Sequence, residues 1–317
     1  MAEIKVRFDE MLLRRKDAAL LPTAVVYPCS EDALLGAVEA ARAGLIEPVL
    51  VGPEEQIRET AAKARLDLSP YKIVSAADPE ESAAVAANLA GSGKVAALMK
   101  GSLHTGQYMH AILQWENRLR TSRLLSHCML IAAPAYSRPI IISDAAVNIA
   151  PDVDQKRDIV QNAIILARAL GIAQPKVAVL AAVETVNSKM PSTMDAAALA
   201  KMADRRQIVG GIVDGPLDLD IAVDEEAARI KGVESPVAGK ADILIAPNIE
   251  AGNMMYKELT FMAGAQVAGL VMGARVPVVL TSRADTAQAR LFSCGLAVLL
   301  AEATAKDPSL LHPATVE

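Results

Sequence analysis

Between residues 21 and 100 the chain repeats one pattern. A short run of β-branched and aliphatic residues, without polar alternation, is followed by a longer stretch with helical spacing. TAVVYP, EDALLGAVEAARAG, EPVLVG, PEEQIRETAAKAR, YKIVSA, DPEESAAVAANLAGSG and VAALMKG follow one another in this way. Strands that are apolar on both faces need cover on both faces, and intervening helices supply it, so the pattern demands an α/β fold around a parallel sheet. Ser30 stands where the first helix needs its N-cap and Gly44 where it must stop. The theme continues through CMLIAAP, PIIISD, a long helix over DVDQKRDIVQNAIILARALG, KVAVLAA, DILIAP and VPVVLTS. Only AYSR separates CMLIAAP from PIIISD, too short for a parallel crossover, so this pair is expected as an antiparallel hairpin. The change of pattern puts a boundary in the polar segment ENRLRTSR, and 317 residues suit two domains. The expected division is 1–123 plus 283–317, and 124–282, with a last helix from about Ala284 to Lys306 crossing back to the first domain.

The formal net charge is -5 and aromatic residues make up 3% of the chain. Neither a global basic field nor a set of stacking platforms exists, so nucleic acid is not an expected partner. An anionic ligand must be met by a few local cations and helix N-termini. The stretch MAEIKVRFDEMLLRRKDAALL has no uninterrupted apolar core or cleavage site, and no later run reaches membrane-spanning length, so a cytoplasmic, non-membrane location is expected. Cys29, Cys128 and Cys294 are odd in number and lack metal-ligand spacing, which reads as reduced core cysteine and no metal. GSGK at 91–94 lacks the spacing of a phosphate loop and reads as a helix-to-strand turn. GxGxxG, HExxH and GxSxG do not occur.

Ligands of α/β sheets sit beyond the carboxyl ends of the strands, and the polar residues of this chain gather at those places. After VAALM come Lys100, Gly101, Ser102, His104 and Thr105, a cation and hydroxyls ahead of a helix start, suited to an anion. Asp144 and Asn148 follow PIIIS, and Pro151-Asp152 reads as the start of the next helix. Glu184, Asn187, Ser188 and Lys189 form a polar loop after KVAVLAA. Beyond DILIAP, helical spacing puts Asn253, Tyr256 and Lys257 on one face. Finally VPVVL ends in Ser282, Arg283 and Asp285. The arginine fork matches a phosphate, the serine adds a hydroxyl and the carboxylate is a candidate base, although the same residues could merely open a helix.

Taken together, KGSLHT, SDAAVNIAPD, VETVNSKMPSTMDAAALAKMADR, DGPLDLDIAV, SPVAGKADILIAPNIEAGNMMYKEL, GLVMGARVP and TSRADT resemble, in order, the phosphate acetyltransferase and phosphate butyryltransferase family. The resemblance implies two α/β domains flanking a cleft, as in isocitrate and isopropylmalate dehydrogenases, usually assembled as a homodimer. It implies reversible transfer of a short acyl group, acetyl or butyryl, between coenzyme A and inorganic phosphate. CoA, acyl-CoA, acyl phosphate and phosphate would then be substrates, with no resident cofactor. It matches the family's Ser-Arg pair to Ser282 and Arg283, its Tyr-Lys pair to Tyr256 and Lys257, its phosphate-side loop to Lys100–Thr105, and a serine opening the second domain to Ser126. Two departures stand out. The position of the family's proposed base, seven residues after the serine, is Ala289, which leaves Asp285 or Asp144 as substitutes, and the loop reads ETVNS, as on the butyryltransferase side. Two rival functions remain: a non-catalytic acyl-CoA-binding regulator, and a metal- and nicotinamide-dependent dehydrogenase using Asp214, Asp218, Asp220 and Asp224.

Overall fold

The computed structural model describes residues 9, 10, 12 and 19–311. Most of the opening stretch read for a leader, and the tail 312–317, lie outside the described residues. Two compact units are present. One takes residues from 6–123 and 267–301, the other Leu124–Gln266 and the described residues from Glu302 on. The division near residue 123 falls in ENRLRTSR, whereas residues 267–282, expected with the second domain, pack with the N-terminal strands.

In the N-terminal unit the strands are β1 (Leu21–Val26), β2 (Ile46–Gly52), β3 (Lys72–Ser75), β4 (Ala97–Lys100), β10 (Gln266–Met272) and β11 (Val278–Val279), in spatial order β3-β2-β1-β4-β11-β10. Helices α1 (Glu31–Arg42), α2 (Glu54–Ala64) and α3 (Pro79–Gly91) connect the first four strands, which pair in parallel as the apolar runs require. Ser30 is the N-cap of α1, and Gly44 follows its C-cap with φ +74, a left-handed turn that a side chain would resist. Strand β10 is buried over most of its length and was not anticipated, and β11 is far shorter than VPVVLTS implied. The two are antiparallel, joined through Gly273, while β11 pairs in parallel with β4, Val278 opposite Leu98 and Val279 opposite Met99. That register brings Lys100 level with the chain leaving β11, so the two polar stretches after these strands emerge side by side. The last helix starts at Ala287 rather than Ala284 and, as far as Ala301, packs in this unit.

The central unit orders its strands β5-β6-β9-β7-β8, from β5 (Ser126–Ala132), β6 (Ile140–Ser143), β7 (Lys176–Leu180), β8 (Ile212–Leu217) and β9 (Ile243–Ile245). Strands β5 and β6 form the expected antiparallel hairpin, and the remaining pairs are parallel. Between β4 and β5 lies α4 (Thr105–Leu113), and α5 (Val153–Ala169) and α6 (Pro191–Asp204) flank β7. Asp152 caps α5, accepting from Gln155 N at 2.8 Å while Gln155 Oε1 accepts from Asp152 N at 3.0 Å. Short helices α7 (Leu219–Val223) and α8 (Glu225–Ile230) and then α9 (Ile249–Phe261) complete this unit's larger elements, and α10 (Ala287–Lys306) is followed by a short 3-10 turn at Pro308–Leu311. No helix among the described residues is long and apolar enough to cross a membrane.

Candidate active site

The register of β4 and β11 builds a charged cluster from residues far apart in the chain, Lys100 and Arg290 being 190 positions apart. Lys100 ends β4 and is 1% exposed. Among the described residues its ammonium makes one weak contact, Nζ to Gly101 O at 3.5 Å. Burial pulls the Lys100 pKa down from 10.5 to about 8, helped by the positive charges of Arg290 and Arg283 and opposed by the Asp285 carboxylate. Gly101 is obligatory here, since a Cβ would overlap the carbonyls of Val26 and Tyr27 where β4 leaves alongside β1. Ser102 is a structural tie. Its Oγ donates to Tyr27 O at 2.8 Å and accepts from Cys29 N at 3.1 Å. His104 is the exposed N-cap of α4, its backbone N donating to Gln107 Oε1 at 3.1 Å, and half-buried Thr105 opens the helix.

The other half of the cluster is the turn after β11. Asp285 is 5% exposed, and its Oδ2 accepts from Ser282 N at 2.6 Å, while Ser282 Oγ accepts from Ala284 N at 3.3 Å. The carboxylate thus closes the turn that presents Ser282, half-buried, and Arg283, exposed and without a hydrogen-bond partner among the described residues. Beneath the turn sits Arg290, 1% exposed on α10. It donates from Nη1 to Thr281 Oγ1 at 2.8 Å and Lys100 O at 3.3 Å, and from Nη2 to Ser282 O at 3.0 Å. One guanidinium therefore joins the ends of β4 and β11. Burial lowers its pKa, opposed by Asp285 and Asp32. Sequence reasoning missed Arg290 and Thr281. A usable signal exists: from 287 to 301 the helix reads AQARLFSCGLAVLLA, apolar on every side, and the lone charge in such a helix must be buried.

In the central unit Asp144 again follows the carboxyl end of a strand, β6, whereas Ser126 opens β5 and Asn253, Tyr256 and Lys257 lie on α9. Asp144 follows β6, is 3% exposed and accepts four hydrogen bonds: Ala146 N at 2.9 Å and Val147 N at 3.1 Å on Oδ1, Asn148 N at 3.1 Å and Asn148 Nδ2 at 2.5 Å on Oδ2. Its geometry is that of an anchor for the loop 145–148. Asn148 Nδ2 also reaches Leu125 O at 2.8 Å, and Asn253 Nδ2 ties α9 to Ala145 O at 2.9 Å. Ser126 is fully buried, its Oγ accepting from Asn162 Nδ2 at 2.9 Å. On α9 the expected common face divides: Tyr256 is buried, Asn253 half-buried, and Lys257 exposed with no hydrogen-bond partner among the described residues. The loop 184–189 is largely exposed and shaped by Asn187, which accepts from Lys189 N at 2.9 Å.

The aspartates considered for a metal have other duties. Asp214 accepts from Gly215 N, Asp218 and Asp224 cap α7 and α8, and Lys231 bridges Asp218 and Asp220 at 3.0 and 2.9 Å. Among the described residues no group of three or more His, Cys, Asp or Glu is placed to hold a metal ion.

The family described as phosphate acetyl/butaryl transferase matches residues 78–298. The chain belongs to that family. It is 52% identical to a phosphate acetyltransferase of Rhizobium meliloti, over 93% of each chain. It is 44% identical to a phosphate butyryltransferase of Clostridium beijerinckii, over 93% of this chain and 97% of the relative. A branched-chain phosphotransacylase from Enterococcus faecalis V583 superimposes with a TM-score of 0.78 at 31% identity, covering 89% of this chain and 99% of the other. By this membership the chain is an acyltransferase.

Proposed function

We infer that this member of the phosphate acetyl/butyryltransferase family transfers a short acyl group reversibly between coenzyme A and inorganic phosphate, and that the turn after β11 receives the phosphate. The observation that carries the assignment is the charge balance there. Lys100, Arg283 and Arg290 are opposed by Asp285 and by Asp32 on α1, so the cluster keeps a net positive charge that an anion would neutralise. Arg283 is exposed and has no hydrogen-bond partner among the described residues, so its fork is available to grip phosphate. Ser282 donates its hydroxyl to the reacting oxygens, and Lys257, exposed on α9, stands available to an anionic substrate group. The loop Gly101–Thr105 and the residues Ser126, Asp144, Asn148 and Asn253 shape the substrate sites through the hydrogen bonds that hold their loops, and buried Tyr256 on α9 belongs to the same substrate-binding set.

Transfer is direct, within a ternary complex, with no acyl-enzyme. Burial raises the Cys29 thiol to about 11 and the Cys128 and Cys294 thiols to about 12, so none supplies a thiolate near neutral pH. The two-domain, dehydrogenase-like arrangement, the homodimer and the cytoplasmic location implied by the resemblance belong to the same proposal. Sedimentation of the purified protein tests the dimer. For the activity, acetyl-, propionyl-, butyryl- and isobutyryl-CoA are incubated with and without phosphate, and free thiol is followed. Phosphate-dependent release establishes the reaction and ranks the acyl groups by kcat/KM. CoA binding without release from any of the four would leave a binding protein.

A further inference from the structure

Both carboxylates considered as the base are committed to the backbone. Asp144 accepts four hydrogen bonds inside its own loop, and Asp285 closes the Ser282 turn. Lys100 is different. It is buried, sits in the cluster with Arg283 and Asp285, and among the described residues has only a 3.5 Å contact to its neighbour's carbonyl, which leaves its amine protons almost unengaged there. An ammonium so placed is either a costly fixed charge or a proton carrier.

We propose that Lys100 is the proton-transfer group of the acyl transfer and that Arg290 is its positioning residue. This deepens the phosphate acyltransferase reading and rests on it. In the forward direction an oxygen of hydrogen phosphate attacks the thioester carbonyl, the C–S bond breaks, and the phosphate's proton passes to the neutral amine and on to the departing sulfur. The products are acyl phosphate and CoA thiol, and the amine ends as it began. In reverse the thiol proton takes the same path to the phosphoryl oxygen. Three features support the assignment. A pKa of about 8 lies close to that of an alkyl thiol, the match that proton shuttling requires. The charges facing Lys100 are Arg290 from α10 and Arg283 and Asp285 from the turn after β11, so the neighbours that tune it are those of the phosphate cluster. Arg290 holds the Lys100 carbonyl and the Ser282 carbonyl with one guanidinium, fixing amine and hydroxyl to a common base.

The test combines kinetics with direct titration. In the wild type, kcat/KM for phosphate at saturating acyl-CoA should rise with pH through a step near 8. Lys100→Arg keeps the charge and cannot release a proton. It should lose roughly 10²–10⁴-fold in kcat together with that step, with phosphate KM changed only a few-fold. Lys100→Ala should be inactive and recover turnover with added small primary amines, in order of their basicity. Arg290→Gln removes a positive neighbour and should move the step to higher pH, a shift that a purely structural role does not produce. NMR titration of the wild type carrying 13C-labelled lysine should show one lysine titrating near 8, missing in Lys100→Arg. An unchanged kcat and pH profile in Lys100→Arg overturns the proposal, as does a lysine spectrum with no member titrating below about 9.5. Absence of thiol release from the wild type with all four thioesters is a different failure. It sinks the acyltransfer reaction itself, whereas the titration still reports the amine.

Discussion

Gly36, far from every sequence motif, is where the cluster is most exposed to a remote perturbation. It faces Arg290 from α1, and a Cβ built on it would stand 2.8 Å from Arg290 Cβ and 2.9 Å from Arg290 Cδ. Carbon atoms prefer about 3.5–4.0 Å, so Gly36→Ala must push the two helices, or the arginine, apart by about 0.5–1 Å. Overpacking of this size costs about 1–3 kcal/mol, offset in part by the better helix propensity of alanine, about 1 kcal/mol. The activity should suffer more than the stability. Arg290 bonds to Lys100 O at 3.3 Å and Ser282 O at 3.0 Å, and a shift of that size lengthens both contacts beyond useful range. Misplacement by about 1 Å costs about 10²-fold in rate. Urea unfolding and steady-state thiol release on the same preparation separate the two effects. A variant as active as the wild type, with an unchanged midpoint, would show that Arg290 does not set the geometry of Ser282 and Lys100.

Four further outcomes follow from the same contacts. Arg283→Ala should lower kcat/KM by roughly 10²–10³-fold in phosphate-dependent thiol release, and an unchanged value would remove Arg283 from the mechanism. Asp144→Ala withdraws the acceptor of four hydrogen bonds and should destabilise the fold by about 2–4 kcal/mol in urea; a loss of activity at full stability would assign Asp144 to chemistry instead. Cys29→Ala should turn over at the wild-type rate without any pre-steady-state burst in either protein, and a burst would reinstate an acyl-enzyme. Lys100 has a folded pKa of about 8 against an ordinary 10.5, so the unfolded chain binds more protons between those values and wild-type stability rises there with pH. The stability advantage of Lys100→Met over the wild type should therefore shrink by up to about 3 kcal/mol from pH 7 to pH 10.5, and a pH-independent difference would contradict the burial of a charged amine.

The elements legible in the sequence are those whose signal is local. Continuous apolar runs between helices give parallel strands, AYSR forces a hairpin, and Asp152 and Gly44 mark a helix start and stop within a few residues of themselves. The missed strand β10 lacked such punctuation, and its pairing with β11 is a tertiary choice. The site divides in the same way. Strand-end polar residues were found because ligand sites follow strand ends, but their roles were not legible, since a side chain's partners are set by register. Ser102 and Ser126 read as ligand hydroxyls, but their partners within the fold, Tyr27 and Asn162, lie 75 and 36 positions away and carry no local signal. Asp285 read as a base and is bonded to the backbone of the turn it closes. Arg290 was passed over although the apolar run around it signals burial, and what no local pattern shows is the glycine in α1 that leaves room for it. The missing Cβ at Gly36 admits the arginine, the arginine fixes the ends of β4 and β11, and the paired ends place a poorly solvated lysine beside the exposed Arg283. Each step lowers the freedom of the next, which is how a cluster of three cations can be tolerated at all before an anion arrives.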